Sequence, residues 1–285
     1  MSRIAYVNGQ YRDMRDASVN IEDRGYQFSD GVYEVCEIRG GKVVDLPRHM
    51  TRLQRSLREL RIDMPMPLSA LEVVIHETVR RNRVGYGIVY LQVTRGVARR
   101  DHAFPVKPVK PAMVVTARGL NFQKNQDTAA RGIGVVTVPE NRWPRVDIKS
   151  VSLLPNVLAK QLAREKDAYE AWFVDSDGHV TEGSSSNAWI ITKDGKVVTR
   201  SAESGILAGV TRAVLSNVLS ALQIGFEERP FTPEEAYEAT EAFVTASSQI
   251  VMPVVRIDGR SIGNGKPGAI SMRLREEFHR FSEFS

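Results

Sequence analysis

Two short segments of the chain carry the residue types most suited to chemistry. One is Asp147-Ile148-Lys149-Ser150, with a lysine amine, and the other is Thr181-Glu182-Gly183-Ser184-Ser185-Ser186-Asn187, with a carboxylate beside three hydroxyls. An unprotonated lysine amine forms an imine with an aldehyde, and a carboxylate can keep a pyridine ring nitrogen protonated. The two segments together suggest a pyridoxal phosphate site. On spacing alone, a surface lysine and a polar turn are the better interpretation.

The elements that would position these groups can be predicted from the pattern of apolar residues. The alternation from Val146 to Lys149 predicts a strand end, followed by an apolar helix over about residues 153 to 166. A second helix is predicted over residues 210 to 223, opened by Gly209-Val210-Thr211. Free amides and the dipole at a helix N-terminus favour a phosphate, although an ordinary helix entrance explains this glycine equally well.

These segments, in this order, resemble the class IV aminotransferases, which are fold-type IV pyridoxal phosphate enzymes. Among them the chain is most similar to the D-amino acid aminotransferases, and the resemblance extends over nearly its whole length. Further matching stretches are Asp23–Val35, His49–Leu53, Thr94–Gly96, Leu207–Arg212 and Phe243–Ser248.

The resemblance implies a cofactor, pyridoxal 5′-phosphate, and a role for each matching residue. Lys149 would hold the cofactor and move the α proton as general acid and base, and Glu182 would contact the pyridine nitrogen. Arg52 would be the charged clamp on the phosphate. The full set of implied cofactor-binding residues is Arg52, Glu182, Ser184, Ser185, Ser186, Val210, Thr211 and Ser247.

The resemblance also implies the substrate class. In D-amino acid aminotransferases an Arg-x-His pair, with a tyrosine, binds the substrate α-carboxylate, and Arg100, His102 and Tyr33 match it. The planar, permanently charged guanidinium suits a carboxylate. Arg99 stands where a small residue or a proline is expected, so either arginine could be the ligand. The expected substrates are D-alanine, D-glutamate and their 2-oxo acids, and the family's placement of this loop implies a homodimer.

Three related activities remain as alternatives. A branched-chain L-amino acid aminotransferase is disfavoured by the Ser184–Ser186 run and by the Arg100-x-His102 pair. An (R)-amine transaminase would usually lack that carboxylate-binding pair. An aminodeoxychorismate lyase would share the lysine, the glutamate and much of the serine-rich turn, and it would release pyruvate without an amino acceptor.

Composition fits this interpretation without requiring it. Hydrophobic residues at 42% and charged residues at 26% describe an ordinary globular protein. A single cysteine, Cys36, excludes an internal disulfide, and the N-terminus has no signal-peptide core, so a cytoplasmic location is expected. No long apolar run suggests a membrane span. The net charge of +5 comes from 39 basic and 34 acidic residues that are interleaved, so nucleic acid binding is not expected. No metal site is predicted.

The chain divides into two differently organised halves. We predict a fold of the α+β class with two domains: a small N-terminal α/β domain over residues 1–118, a polar interdomain linker over 119–131, and a larger C-terminal mixed α+β domain over 132–285. The resemblance implies a barrel-like sheet in the larger domain. The linker prediction depends on a polar stretch that lacks apolar periodicity.

Overall fold

The computed structural model describes residues 3–203 and 205–285, which fold as two compact units. The first unit comprises Met1–Phe122, Ile148–Ser152 and Glu283–Ser285. The second comprises Gln123–Asp147 and Leu153–Ser282. Lys149 and its neighbours therefore belong to the first unit, although they follow the start of the second along the chain.

The first unit is an antiparallel sheet of six strands with two long helices packed on it. The strand order is β2-β1-β6-β5-β3-β4. Apolar residues of α2 and α3 share one core with the sheet, because both helices carry them at helical spacing. The elements are β1 (Ile4–Val7), β2 (Gln10–Asp13), α1 (Arg24–Phe28), β3 (Gly31–Arg39), β4 (Lys42–Val43), α2 (Leu46–Glu59), α3 (Leu68–Asn82), β5 (Tyr86–Thr94) and β6 (Ala112–Gly119).

The second unit contains a mixed sheet of nine strands. Its order is β12-β11-β10-β13-β14-β7-β8-β9, with β15 paired to β14. The elements are α4 (Phe122–Arg131), β7 (Ile133–Pro139), α5 (Leu154–Glu165), β8 (Glu170–Val174), β9 (Val180–Gly183), β10 (Asn187–Ile191), β11 (Val197–Thr199), α6 (Val210–Ala221), β12 (Phe226–Glu228), α7 (Pro233–Tyr237), β13 (Glu241–Ala246), β14 (Ile250–Ile257), β15 (Arg260–Ser261) and α8 (Ala269–Glu277), followed by the 3-10 helix Phe278–Arg280.

The connection between β9 and β10 requires this sheet to curl. The two strands stand five places apart in the strand order. A flat sheet would separate them by about 24 Å, whereas the three residues Ser184–Ser186 that join them reach about 15 Å. The Gly183 amide donates to the carbonyl of Ser186 at 2.6 Å, which closes the turn. The second unit is thus a mixed α+β fold with a barrel-like sheet, as predicted.

Both faces of the central strands are buried, because one face points into the curled sheet and the other is covered by helices. In β10, Ala188 and Ile190 join one apolar cluster, while Trp189 and Ile191 join another with α6 and α8. Successive side chains of a strand point to opposite faces, so one strand serves both cores. This arrangement fixes the ends of β9, β10 and β13, where several predicted site residues lie.

Three local predictions differ from the structure. The segment 119–131, predicted as a linker, contains helix α4, whose polar face is held by hydrogen bonds from the buried Arg275 to Asn125 and Gln126. The strand end predicted before Lys149 is only a single antiparallel bridge, between Ser150 and Val32.

Helix α3 differs in how it begins. The spacing of Ser69 and Glu72 predicts a capping box, in which the serine is the N-cap. The helix instead begins at Leu68, directly after Pro67, and the Pro67 cap makes no side-chain hydrogen bond. The fixed backbone angle of proline sets this start two residues earlier.

Candidate active site

Lys149 is held against the start of β3 in the first unit. The Tyr33 amide donates to the Lys149 carbonyl at 3.0 Å, and the Lys149 amide donates to the Ser56 hydroxyl at 3.3 Å. The lysine amine lies 4.2 Å from the centre of the Tyr33 ring. The backbone is therefore fixed on both sides, while the half-buried side chain runs along an aromatic surface.

Arg52 lies close by on α2 and is bound to a buried carboxylate. Its Nε and Nη2 atoms each donate to Glu34 of β3 at 2.8 Å, in a fork geometry. His49, one turn earlier on α2, contacts the same carboxylate through Nδ1 at 2.7 Å. Helix spacing alone would leave Arg52 in solvent with the other arginines of α2, but its side chain is only 10% exposed.

Burial and charge set the protonation of this cluster. Burial disfavours the charged form of the Glu34 carboxyl, yet the Arg52 charge and the hydrogen bonds from Arg52 and His49 outweigh it, so the pKa of Glu34 lies far below its usual range. Burial lowers the pKa of His49 more than the Glu34 carboxylate raises it. His49 is then a neutral ring whose Nδ1–H donates to Glu34.

The predicted carboxylate-binding residues lie together in the loop after β5. The Arg100 guanidinium lies 4.8 Å from the centre of the Phe28 ring, and the His102 ring lies 5.4 Å from the same ring. Arg99, Arg100 and His102 are all exposed. Both members of the Arg-x-His pair thus contact the same aromatic ring, Phe28 of α1.

Glu182 ends β9 in the second unit, and its carboxylate is surrounded by donors. Oε1 accepts a short hydrogen bond from Arg142 Nη1. Oε2 accepts from Asn187 Nδ2 and from the Leu207 amide, both at 3.2 Å. The residue is 6% exposed. Three fixed donors hold the carboxylate in one orientation.

Arg142 joins Glu182 to a second carboxylate. Its Nη2 donates to Glu140 at 2.6 Å, and its guanidinium lies over the Phe173 ring at 4.4 Å. Burial disfavours the charged guanidinium, but the hydrogen bond to Glu140 and the charges of both glutamates hold the pKa of Arg142 above its usual value. Arg142 is therefore a permanent cation beside Glu182.

The three serine hydroxyls of the predicted cofactor turn are bound to Glu170, a fully buried residue of β8. Ser185 and Ser186 donate to its Oε2 at 2.8 and 3.1 Å, and Ser184 donates to Oε1 over a short distance. Helix α5 supports the same turn, since Asn156 Nδ2 donates to the Ser184 carbonyl at 2.9 Å. The hydroxyls thus shape the turn.

Helix α6 begins at Val210 as predicted, with Gly209 as its N-cap. Gly209 has no side chain with which to cap the first turn, and Val210 and Thr211 are both buried. A Cβ atom at residue 209 would collide with the Asn187 side chain, so only glycine allows this approach. Since Asn187 also contacts Glu182, it ties the start of α6 to the carboxylate.

The structure gathers the predicted residues into two sets, one in each unit. Tyr33, Arg52 and Lys149 lie around β3 and α2, and Arg100 and His102 meet on Phe28. In the second unit, Glu182, the serine turn and the start of α6 are joined through Asn187. Ser247 lies in the turn that follows β13.

Comparison with known proteins gives the family. Residues 31–257 match the amino-transferase class IV family. A D-alanine aminotransferase of Staphylococcus haemolyticus is 39% identical over 279 residues, which cover 98% of this chain and 97% of the relative. The chain is a class IV aminotransferase. A D-alanine aminotransferase of Bacillus licheniformis is 38% identical over 268 residues, covering 94% and 93% of the two chains.

Solved structures of this aminotransferase class share the fold. The branched-chain amino acid aminotransferase of Escherichia coli superposes with a TM-score of 0.90 at 21% identity, covering 98% of this chain and 94% of the other. The branched-chain aminotransferase of Thermoproteus uzoniensis, solved with norvaline, has a TM-score of 0.85 at 26% identity, with the same coverage. The predicted fold-type IV architecture is confirmed.

Class IV aminotransferases use pyridoxal phosphate, and so does this chain. An aminotransferase of Mycobacterium tuberculosis with the same fold was solved with the cofactor bound; its TM-score is 0.86 at 19% identity, covering 98% of both chains. The residues present here fit that cofactor. They include a half-buried lysine amine beside a tyrosine, a buried carboxylate held by an arginine, and a helix N-terminus without a side-chain cap. These groups match an aldehyde, a pyridinium nitrogen and a phosphate, respectively.

Two other kinds of feature are absent from the described part of the chain. Within residues 3–203 and 205–285, no helix is long and apolar enough to cross a membrane. Over the same ranges, no cluster of three or more His, Cys, Asp or Glu side chains is arranged to hold a metal ion.

Several residues of this aminotransferase site escaped the sequence reasoning. Arg142 lies 40 residues before Glu182 in the sequence, and Glu34 lies 18 residues before Arg52. No local pattern links such pairs. Asn187 and Glu34 do fall inside the matching stretches, so a search for polar partners within those stretches could have found them.

Proposed function

We propose that this aminotransferase moves the amino group between D-amino acids, of the D-alanine and D-glutamate type, and 2-oxo acids. The observation that carries the proposal is the pairing of Arg100 and His102 on Phe28. An exposed arginine and an exposed histidine, each held against the same ring, suit an α-carboxylate, because both donate hydrogen bonds to anionic oxygen. Relatives named D-alanine aminotransferase, at 38 to 39% identity, support the same substrate class.

When bound, pyridoxal phosphate supplies an aldehyde that accepts the amino group and a pyridinium ring that withdraws electrons from the substrate α carbon. Lys149 Nζ is the group we assign to hold the aldehyde and to take up the proton of the α carbon. The hydrogen bonds on both sides of Lys149 support this role, since a proton carrier has to be held within reach of the carbon it serves.

The remaining residues bind and orient. Glu182, fixed by Arg142 and Asn187, is proposed to keep the pyridine nitrogen protonated. The amides of Val210 and Thr211 and the Ser247 hydroxyl would bind the phosphate, together with Arg52. Amides of the serine turn, Ser184–Ser186, would add donors, since Glu170 already takes the three hydroxyls. Tyr33 would complete the substrate carboxylate site with Arg100 and His102.

A branched-chain L-amino acid aminotransferase is the second candidate. The Thermoproteus uzoniensis structure is that of a branched-chain aminotransferase at 26% identity, and it favours this activity. At 21% identity the Escherichia coli similarity carries the fold alone. The higher identity to D-alanine aminotransferases, together with the Arg-x-His pair, makes the D-amino acid activity the better-supported proposal.

We also propose a homodimer, supported by the apolar face of α5. Leu154, Val157, Leu158 and Leu162 repeat at helical spacing and are 69%, 59%, 59% and 37% exposed. A stripe of this kind on a helix marks an interaction surface in proteins of ordinary composition. The opposite face of α5 is buried through Ala159 and Ala163. The cytoplasmic location stays a prediction.

Substitutions in the loop after β5 test the proposed substrate class. Arg100→Ala and His102→Ala should each lower kcat/KM for D-alanine by about 10- to 100-fold, because the carboxylate loses a charge-assisted hydrogen bond. The kcat/KM for amines without a carboxylate should fall much less. Arg99→Ala is the matched control, and it should have little effect, since Arg100 makes the contact with Phe28.

Two outcomes would change the proposal. If Arg99→Ala alone abolished D-alanine turnover, the ligand would move by one position and the activity would stand. If none of the three substitutions affected D-alanine, and L-leucine proved the better donor, the branched-chain activity would replace the proposal.

A further inference from the structure

The short helix α1 is fastened to the start of the substrate loop by its backbone. The Arg24 amide donates to the Gly96 carbonyl at 2.9 Å, and the Ala98 amide donates to the Glu22 carbonyl at 3.3 Å. The Thr94 hydroxyl donates to Asp23, the N-cap of α1, at 2.9 Å. The turn of α1 and residues 94–98 therefore form one rigid piece.

The Arg24 side chain extends this attachment to the tip of the loop. It is 3% exposed, and its Nε donates to Asp30 at 2.8 Å. Its two terminal nitrogens donate to the carbonyls of Asp101 and His102, at 2.6 and 3.3 Å. One buried guanidinium thus binds the carbonyl before His102 and the carbonyl of His102 itself, close after Arg100 in the chain.

Phe28 forms the surface on which the loop side chains rest. Its ring lies 4.8 Å from the guanidinium of Arg24, 4.8 Å from that of Arg100, and 5.4 Å from the His102 ring. Cations and tilted aromatic rings are attracted to the face of a phenylalanine at these distances.

A second arginine secures the far side of the loop. Arg95 donates to both oxygens of Asp30, at 2.7 and 2.9 Å, and to the carbonyl of Leu60 at 2.7 Å. Its guanidinium also lies 3.7 Å from the centre of the Phe104 ring. The loop is therefore held at Arg95, where it begins, and at Phe104. Between these two positions, Arg24 and Phe28 make the contacts that hold it.

We propose that Arg24 and Phe28 are specificity-determining positioning residues, which hold Arg100 and His102 in the geometry that accepts a substrate α-carboxylate. This inference rests on the proposed function, because it assigns the carboxylate to Arg100 and His102. An exposed arginine samples many rotamers, and ordering it on binding costs affinity. Contact with Phe28 orders the Arg100 side chain before the carboxylate binds. Binding then avoids the loss of affinity that this ordering would cost.

The test uses the holoenzyme and replaces the ring of Phe28. Phe28→Leu keeps an apolar side chain at this half-buried position but removes the aromatic face, whereas Phe28→Tyr keeps the face. Tyr26→Leu is the matched control on the same helix, since Tyr26 is 75% exposed. Three quantities are measured for each variant: kcat and KM for D-alanine, and the inhibition constant of propionate, which carries only the carboxylate.

Phe28→Leu should raise KM and the propionate inhibition constant by about 5- to 50-fold, with kcat little changed. Phe28→Tyr and Tyr26→Leu should behave like the parent enzyme. In the background of Arg100→Ala with His102→Ala, Phe28→Leu should have little further effect, because the residues through which it acts are gone. A fall in kcat with unchanged KM, or an equal effect in both backgrounds, would overturn the inference.

The same measurements separate failure of the inference from failure of the proposed function. If Arg100→Ala raises the propionate inhibition constant and Phe28→Leu does not, only the role of Phe28 is wrong. If Arg99→Ala, Arg100→Ala and His102→Ala all leave that constant unchanged, the carboxylate does not bind in this loop, and both claims fail. Arg24→Lys gives an independent check, since it keeps the charge but loses the fork that reaches two carbonyls. It should raise the propionate constant in the same way.

Discussion

At the scale of single residues, the main feature of the candidate site in the second unit is the carboxylate of Glu182. Arg142, Asn187 and the Leu207 amide donate to its two oxygens, so the protein itself holds the charge in one place. Fixed charges of this kind act strongly in a site from which water is excluded. The same contacts explain why a glutamine of equal size would be a poor substitute.

The first prediction concerns Glu182→Gln. Transamination should fall by about 100- to 1,000-fold, because the pyridine nitrogen loses the anion that keeps it protonated. Cofactor binding, followed by spectroscopic titration of the apoenzyme, should survive better than turnover. Glu140→Gln is the matched control, since it removes the other carboxylate that binds Arg142 and leaves Glu182 in place. Full activity in Glu182→Gln would disprove the assignment.

The sequence proposed candidate site residues, whose roles stay predictions, but not the partners that hold them. The motif around Glu182 and the glycine before α6 were assigned through the resemblance to the family, which short stretches of sequence carry. Arg142, Glu170 and Glu34 do not, because each reaches its partner across 14 to 40 residues of chain. Such contacts depend on which strands are neighbours in the sheet, and a local pattern carries no information about that order.

At the scale of elements, the pattern of apolar residues predicted α5 and α6, and it missed α4. Helix α4 buries only Ala129, and its contacts are polar, through Asn125, Gln126 and Arg275. Short strands such as β11 and β12 were missed as well, since three residues are too few to show alternation.

Helix α2 carries the second prediction, which concerns acid stability. Burial, opposed by the Glu34 carboxylate, holds the folded-state pKa of His49 below its ordinary value, which is about 6.5 in the unfolded chain. Between those two pKa values the unfolded chain binds more protons, so the free energy of unfolding should fall as the pH drops below about 6.5, by up to about 1.4 kcal/mol per pH unit.

His49→Asn should flatten this dependence, because asparagine can still donate to Glu34 but does not titrate. The measurement is the urea midpoint of unfolding at several pH values between 5 and 8, and slopes are compared rather than absolute stabilities. Equal slopes in His49→Asn and the parent enzyme would show that His49 is not the titrating group.

At the scale of the whole molecule, α5 carries an apolar stripe that the monomer does not bury. The sequence predicted an apolar helix from these same leucines and valines. The structure leaves Leu154, Val157 and Leu158 more than half exposed. Periodicity identifies an apolar face, but it does not distinguish the core of one chain from the contact between two.

The third prediction follows from that face. The enzyme should sediment as a dimer, and Leu158→Glu should shift it toward the monomer, because a charge would be buried in an apolar contact. Val73→Glu, at an exposed apolar position of helix α3, introduces the same charge away from α5 as a control and should leave the dimer intact. A parent enzyme that sediments as a monomer would refute the proposed homodimer. A dimer unaffected by Leu158→Glu would place the interface elsewhere.

The most direct test of the central claim is the first half of the reaction, followed on the cofactor itself. The purified holoenzyme is mixed with D-alanine or with L-leucine in the absence of an acceptor, and the absorbance of the bound cofactor is recorded as it converts to its amine form. The proposed function predicts rapid conversion by D-alanine and little by L-leucine, with 2-oxoglutarate restoring the original spectrum. Conversion by L-leucine while D-alanine leaves the spectrum unchanged would contradict it.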